Sequence, residues 1–87
     1  MNIEVFIPYA TWLWIESGEH FDELRLDMKT AADNRYVTWH YRQVDYKITG
    51  VDAALSDGTE ADKDAMQAVI DRWTTRWEDA IDRIPNL

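Results

Sequence analysis

The sequence predicts an α+β fold: a small antiparallel β-sheet of about four strands, one of them bent or bulged, packed against one long C-terminal α-helix. Three observations predict it. Residues 59–83 repeat their apolar positions at helical spacing, and residues 3–7 and 35–49 alternate at strand spacing. The chain of 87 residues also carries five Trp, four Tyr and two Phe, enough large side chains to fill one small core. The expected organisation is a single domain, mainly β over residues 1–55 and helical over 59–84.

In the opening run Ile3, Val5 and Ile7 alternate with Glu4 and Phe6, the pattern of a strand with one buried face, and Pro8 ends it. Residues 11–16 are β-branched and aromatic on both sides. They predict a second strand, with Trp12 and Trp14 on one face and Leu13 and Ile15 on the other. Ser17 and Gly18 supply the turn after it. Residues 20–33 admit two readings. As a strand, Leu24, Leu26 and Met28 face one way while Glu23, Arg25, Asp27 and Lys29 face the other. As a helix, Phe21, Leu24, Met28 and Ala31 share a face and Leu26 is misplaced. The unbroken alternation favours the strand, with a hairpin loop at 31–34, and helix-forming composition keeps an extra helix at 20–33 open.

From Arg35 onward the pattern is β again. Val37, Trp39 and Tyr41 line one face, and Val44, Tyr46 and Ile48 continue in the opposite phase. The phase flips at Arg42 and Gln43, where no Gly, Asn or Pro supports a tight turn, so the expectation is a β-bulge in one long bent strand ending at Thr49 and Gly50. Residues 51–55 read as a short strand or a connection.

The long helix has legible ends. Thr59 follows the breaker pair Asp57 and Gly58 and can cap the first turn, with Asp62 as a short version of the capping-box acid. Pro85 is the expected stop. At about 100° per residue, Met66, Val69, Ile70, Trp73, Trp77, Ala80, Ile81 and Ile84 fall in one core-facing stripe, centred on Trp73 and Trp77.

Composition excludes several function classes. A formal charge of −8, from 17 acids and 9 bases, opposes direct binding to nucleic acid or to an anionic membrane and favours a basic protein partner. The absence of cysteine removes disulfides and thiolate metal sites. Residues 2–15 lack a basic n-region and a cleavage site, and no apolar run reaches the length of a membrane span, so the expected setting is cytoplasmic and soluble. His20 and His40 have no helical metal-pair spacing. Asp52 cannot open a calcium loop, because Asp57 stands at the glycine position and Lys63 at the last ligand position. No nucleophile elbow or phosphate loop is present. The expectation is therefore a non-enzyme with no cofactor and no metal.

The helix carries a second pattern. Glu60, Asp64, Asp71, Glu78 and Asp82 gather opposite the apolar stripe in a ridge about 40° wide. Asp79 can pair along the helix with Arg76 and Arg83. The ridge is the expected partner-binding site, and a surface pair of Trp12 and Trp14 would be the aromatic anchors of a partner or a homodimer. In size and charge this acidic, cysteine-free α+β chain resembles the inhibitors that phages and mobile elements make against host defence nucleases, anti-CRISPR and DNA-mimic proteins among them. Immunity proteins and small dimeric adaptors share the profile. The resemblance implies a viral inhibitor acting by protein–protein interaction on a basic, nucleic-acid-binding partner; the alternative is a homo-oligomeric adaptor with an aromatic interface.

Overall fold

The computed structural model describes residues 1–83, so Ile84 and Pro85, expected at the end of the long helix, lie outside the described residues. Six elements follow in chain order: β1 (Ile3–Pro8), α1 (Tyr9–Ser17), α2 (Phe21–Ala31), β2 (Val37–Val44), β3 (Lys47–Leu55) and α3 (Glu60–Asp82). The α+β class is as expected, but the sheet has three antiparallel strands, in the order β1-β3-β2, not about four. Register sets Ile3, Val5 and Ile7 beside Leu55, Ala53 and Val51, and these beside Val37, Trp39 and Tyr41. One face of the sheet is thus apolar across all three strands. The helices cover that face, α3 against β1 and α2, and α1 against β3.

Residues 11–16 depart most from expectation, forming α1 where a strand was expected, so residues 1–55 are not mainly β. Thr11, Trp12 and Ile15 are buried, while Trp14 faces the other helices with its ring 6.3 Å from that of Trp73. A short helix that buries two sides has no polar stripe, which hides its period. Pro8, held at φ −57°, is its N-cap residue. The chain leaves α1 through Gly18 and the left-handed Glu19 (φ 59°). There the His20 and Glu19 amides donate to the Ile15 and Glu16 carbonyls at 2.8 and 3.3 Å, a Schellman closure.

Residues 21–31 take the helical alternative instead of the favoured strand. Leu24 and Met28 are fully buried, and Leu26, the residue misplaced on the helical face, is 53% exposed. α2 ends like α1, with the Asn34 and Asp33 amides donating to the Lys29 and Thr30 carbonyls at 2.7 and 3.1 Å, so residues 31–34 close a helix and not a hairpin.

The bent strand is in fact a hairpin. A register shift does fall between Arg42 and Gln43, where the phase flips. Beyond it the chain turns at Asp45 and Tyr46 and returns as β3 through Thr49 and Gly50 to Leu55. Both turn residues have positive φ, 50° and 66°, as a two-residue I′ turn requires. Tyrosine is a poor occupant of that position, so sequence cues for the turn are missing. Tyr46 is also fully exposed, at 101%. Tyr46→Gly is therefore expected to stabilise the fold by about 1 kcal/mol in urea unfolding; a loss of stability would show that the ring makes contacts worth more than its backbone strain.

α3 begins as expected. Thr59 Oγ1 accepts from the Asp62 amide at 3.2 Å, and the Thr59 amide donates to Asp62 Oδ2 at 2.8 Å. Arg35 adds a tertiary clamp. Its guanidinium reaches Asp62 Oδ1 at 2.6 Å and also donates to the Ala32 and Asp57 carbonyls, joining the end of α2 to the start of α3. The hydrogen bond from Arg35, with that from the Thr59 amide, holds the Asp62 carboxyl below its ordinary value of 3.8. A depressed carboxyl stabilises the fold above its unfolded value and loses that contribution as pH falls through its folded value. The melting temperature of the native chain should therefore exceed that of Asp62→Asn by a constant gap at neutral pH, and the gap should close below 3.8. A gap unchanged in strong acid would mean that the ion pair contributes nothing.

Candidate functional site

The stripe of α3 is buried through Met66, Val69, Ile70 and Trp73, then opens: Trp77 and Ala80 are half-buried and Ile81 is 43% exposed. Length explains this. A helix of 23 residues rises about 34 Å, whereas the six-residue β1 beneath it spans about 20 Å. The C-terminal turns of α3 overhang the sheet, and Trp77 is not the core residue that its stripe position suggested.

On the opposite side of α3, Glu60, Asp64, Asp71, Glu78 and Asp82 are all exposed. Asp71 accepts from Gln67 Nε2 at 3.1 Å within its own helix. Among the described residues, ion pairs engage Asp22, Glu23, Asp52 and Asp62 but none of these five. Arg76 does not pair along the helix with Asp79. It lies 4.0 Å over the Trp73 ring and reaches Glu23 of α2 at 3.6 Å. The flanking base therefore turns toward the helix packing, and the ridge keeps its charge.

The aromatic anchors fall differently. Helical geometry separates Trp12 from Trp14, and Trp12 is 4% exposed, so the expected surface pair does not exist. Trp14 is half-buried, with its ring 4.9 Å from His20. His20 thus sits between Trp14 and Trp73, not free in solvent. The exposed aromatics among the described residues are instead Tyr36, Tyr41 and Tyr46, on β2 and its flanks, and Phe6 on β1.

Two arrangements have no signal in the sequence. On the uncovered face of the sheet, Phe6 lies so close across Gly50 that an added Cβ would stand 2.1 Å from its ring. Arg42 stacks 4.9 Å over Phe6 and donates from Nε to Asp52 Oδ2 at 2.6 Å, leaving Asp52 5% exposed. That carboxylate is tied into a structural lock. On the covered side, β2 runs beyond the helices, its residues passing from half-buried at Val37 to exposed after Trp39. There Trp12, Phe21, Trp39 and Tyr41 line a cleft of about 240 Å³, with Val51 behind them and Glu16 beside them. The lining residues come from four separate elements, so no local motif announces the cleft.

Among the described residues no group of three or more His, Asp or Glu side chains is placed to hold a metal ion, and no helix is long and apolar enough to cross a membrane. Comparison with known protein families, with curated proteins and with solved structures finds no match to this chain.

Trp73 is the side chain on which the helical layer converges. It is 1% exposed, and its Nε1 donates to Asp27 Oδ2 of α2 at 2.9 Å. Trp73→Ala is expected to cost about 3–5 kcal/mol in urea unfolding, with loss of Asp27's partner included; a cost under about 1 kcal/mol would mean that the helices pack without it.

Proposed function

We propose that the protein is a small non-enzymatic inhibitor that docks its acidic helix face on a basic protein surface, of the kind that binds nucleic acid, and blocks it. One observation carries this reading: five exposed carboxylates without ion-pair partners among the described residues lie along one rigid helix. α3 holds seven acids against three bases. Ridge members four and seven residues apart rise about 6 and about 10 Å, and the whole ridge spans about 33 Å. One strand of DNA presents about ten phosphates over that length, so the ridge offers half the charge density of a strand at fixed positions. A surface built to hold phosphates would meet it at alternate contacts. The resemblance in size and charge to anti-CRISPR and DNA-mimic inhibitors supports the same reading, which carries a cytoplasmic setting with it.

A homo-oligomeric adaptor is the second reading, favoured by exposed Tyr41, Val44 and Tyr46 along the β2 edge. A single mass at the monomer value in light scattering at high concentration would remove it.

For the inhibitor, capture of a partner from lysate should weaken in high salt and in the presence of competing DNA. The double reversal Asp71→Lys, Glu78→Lys should leave the circular dichroism unchanged and reduce partner affinity by about tenfold or more. A partner held equally well in high salt, indifferent to DNA and to both reversals, would overturn the reading.

A further inference from the structure

We infer that the β2 edge pairs with the β2 edge of a second copy of this chain, antiparallel about a two-fold axis, so that two three-stranded sheets join into one. The inference rests on the homo-oligomer reading and gives it an interface that leaves both acidic ridges free. β2 has β3 on one side only, so the N–H and C=O groups along its other side have no strand partner among the described residues. The two edges of the sheet are not alike. β1 carries the exposed Glu4 and ends in Pro8, which has no amide hydrogen. β2, VTWHYRQV, contains no Pro, Gly or acid. The extra residue at its register shift is Thr49 of β3, because Arg42 and Gln43 pair with Gly50 and Ile48, and β2 itself runs on without interruption. Of the nine exposed large apolar side chains among the described residues, four belong to this strand and its flanks: Tyr36, Tyr41, Val44 and Tyr46. Open backbone and open apolar surface thus coincide at one edge.

Charge selects a second copy as the occupant. Two chains of charge −8 repel each other, so they meet where acids are fewest. No acid falls between Asp33 and Asp45, and Arg35 and Arg42 both do. The ridges stay apart, since α3 packs against β1 and α2, and β1 is the strand farthest from β2. Side-chain pairing then fixes the register. Centred on His40, the two strands oppose Trp39 to Tyr41, Thr38 to Arg42 and Tyr36 to Val44, with both helical layers on the same side of the joined sheet. A slip of one residue sets side chains of the helical face opposite those of the open face. A slip of two sets His40 opposite Arg42 in one direction and carries Val44 past the strand to Asn34 in the other. The pair is also closed: the joined sheet ends in β1 on both sides, and no free β2 edge is left to recruit a further copy.

The test begins with the mass of the whole chain in light scattering at high concentration, which should be that of two copies. His40→Lys opposes two ammonium groups across the axis and should raise the dissociation constant of the dimer about fivefold or more. His40 is exposed, so circular dichroism should not change. The chain has no cysteine, so in His40→Cys a disulfide forms between copies only. Residues directly opposed across two strands hold their Cβ atoms about 5 Å apart, close to the span of a disulfide. Mild oxidation should therefore join these chains far faster than those of Glu4→Cys, on the β1 edge. A monomer at high concentration overturns the inference together with the homo-oligomer reading. A dimer that is indifferent to His40→Lys, and that crosslinks no faster at position 40 than at position 4, overturns the inference alone.

Discussion

The fold depends on the seat of the Trp73 indole. α3 supplies the residue, α2 supplies Asp27 as acceptor for Nε1, and α1 supplies Trp14, whose ring stands 6.3 Å away. Arg76 closes the outer face at 4.0 Å and is itself held by Glu23. Three helices of 9, 11 and 23 residues are thus joined by one side chain that has both a large apolar body and a polar tip. Phenylalanine could fill the space, but it would leave Asp27 without its donor. α1 and α2 are too short to persist alone in water. Their helical state follows from this tertiary contact and from burial on the sheet.

That dependence explains which parts of the fold were legible. β1, the capping box of Thr59 and Asp62, and the buried part of the α3 stripe are local patterns, and each could be read from the residues involved. α1 could not, because Thr11, Trp12, Trp14 and Ile15 serve two packing surfaces at once and show neither helical nor strand periodicity cleanly. α2 misleads for a different reason: Leu26 is an exposed apolar residue that completes a false alternation. The hairpin at Asp45 and Tyr46 lacks the glycine or asparagine that usually marks an I′ turn, while the bulge beside it at Arg42 and Gln43 does disturb the phase and was visible.

Site residues divide along the same line. The acidic ridge is a property of one helix, so its exposure follows directly from the positions of Glu60, Asp64, Asp71, Glu78 and Asp82 opposite the stripe. The aromatic cleft is a property of register. Trp39 and Tyr41 pair with Ala53 and Val51 on β3, and the Trp12 ring of α1 packs 6.0 and 6.1 Å from theirs. Neither the pairing nor the helical state of Trp12 was readable, so the cleft was not readable either.

A three-stranded sheet with helices on one side must also protect its other face. Here Gly50, on the central strand, lets the Phe6 ring lie flat from β1, and Arg42 reaches over it from β2 to the Asp52 carboxylate. All three strands contribute to this cover, which keeps an acidic side chain 95% out of solvent without a second helical layer. The arginine's charge is neutralised in place and the phenylalanine's face is already occupied by the guanidinium. On α3 the five ridge carboxylates stay exposed without ion-pair partners among the described residues, and beside the β2 edge Trp12, Phe21, Trp39 and Tyr41 line the cleft. These two surfaces are built differently, the ridge from one helix and the cleft from residues of four elements, so a substitution on the exposed ridge leaves the cleft in place.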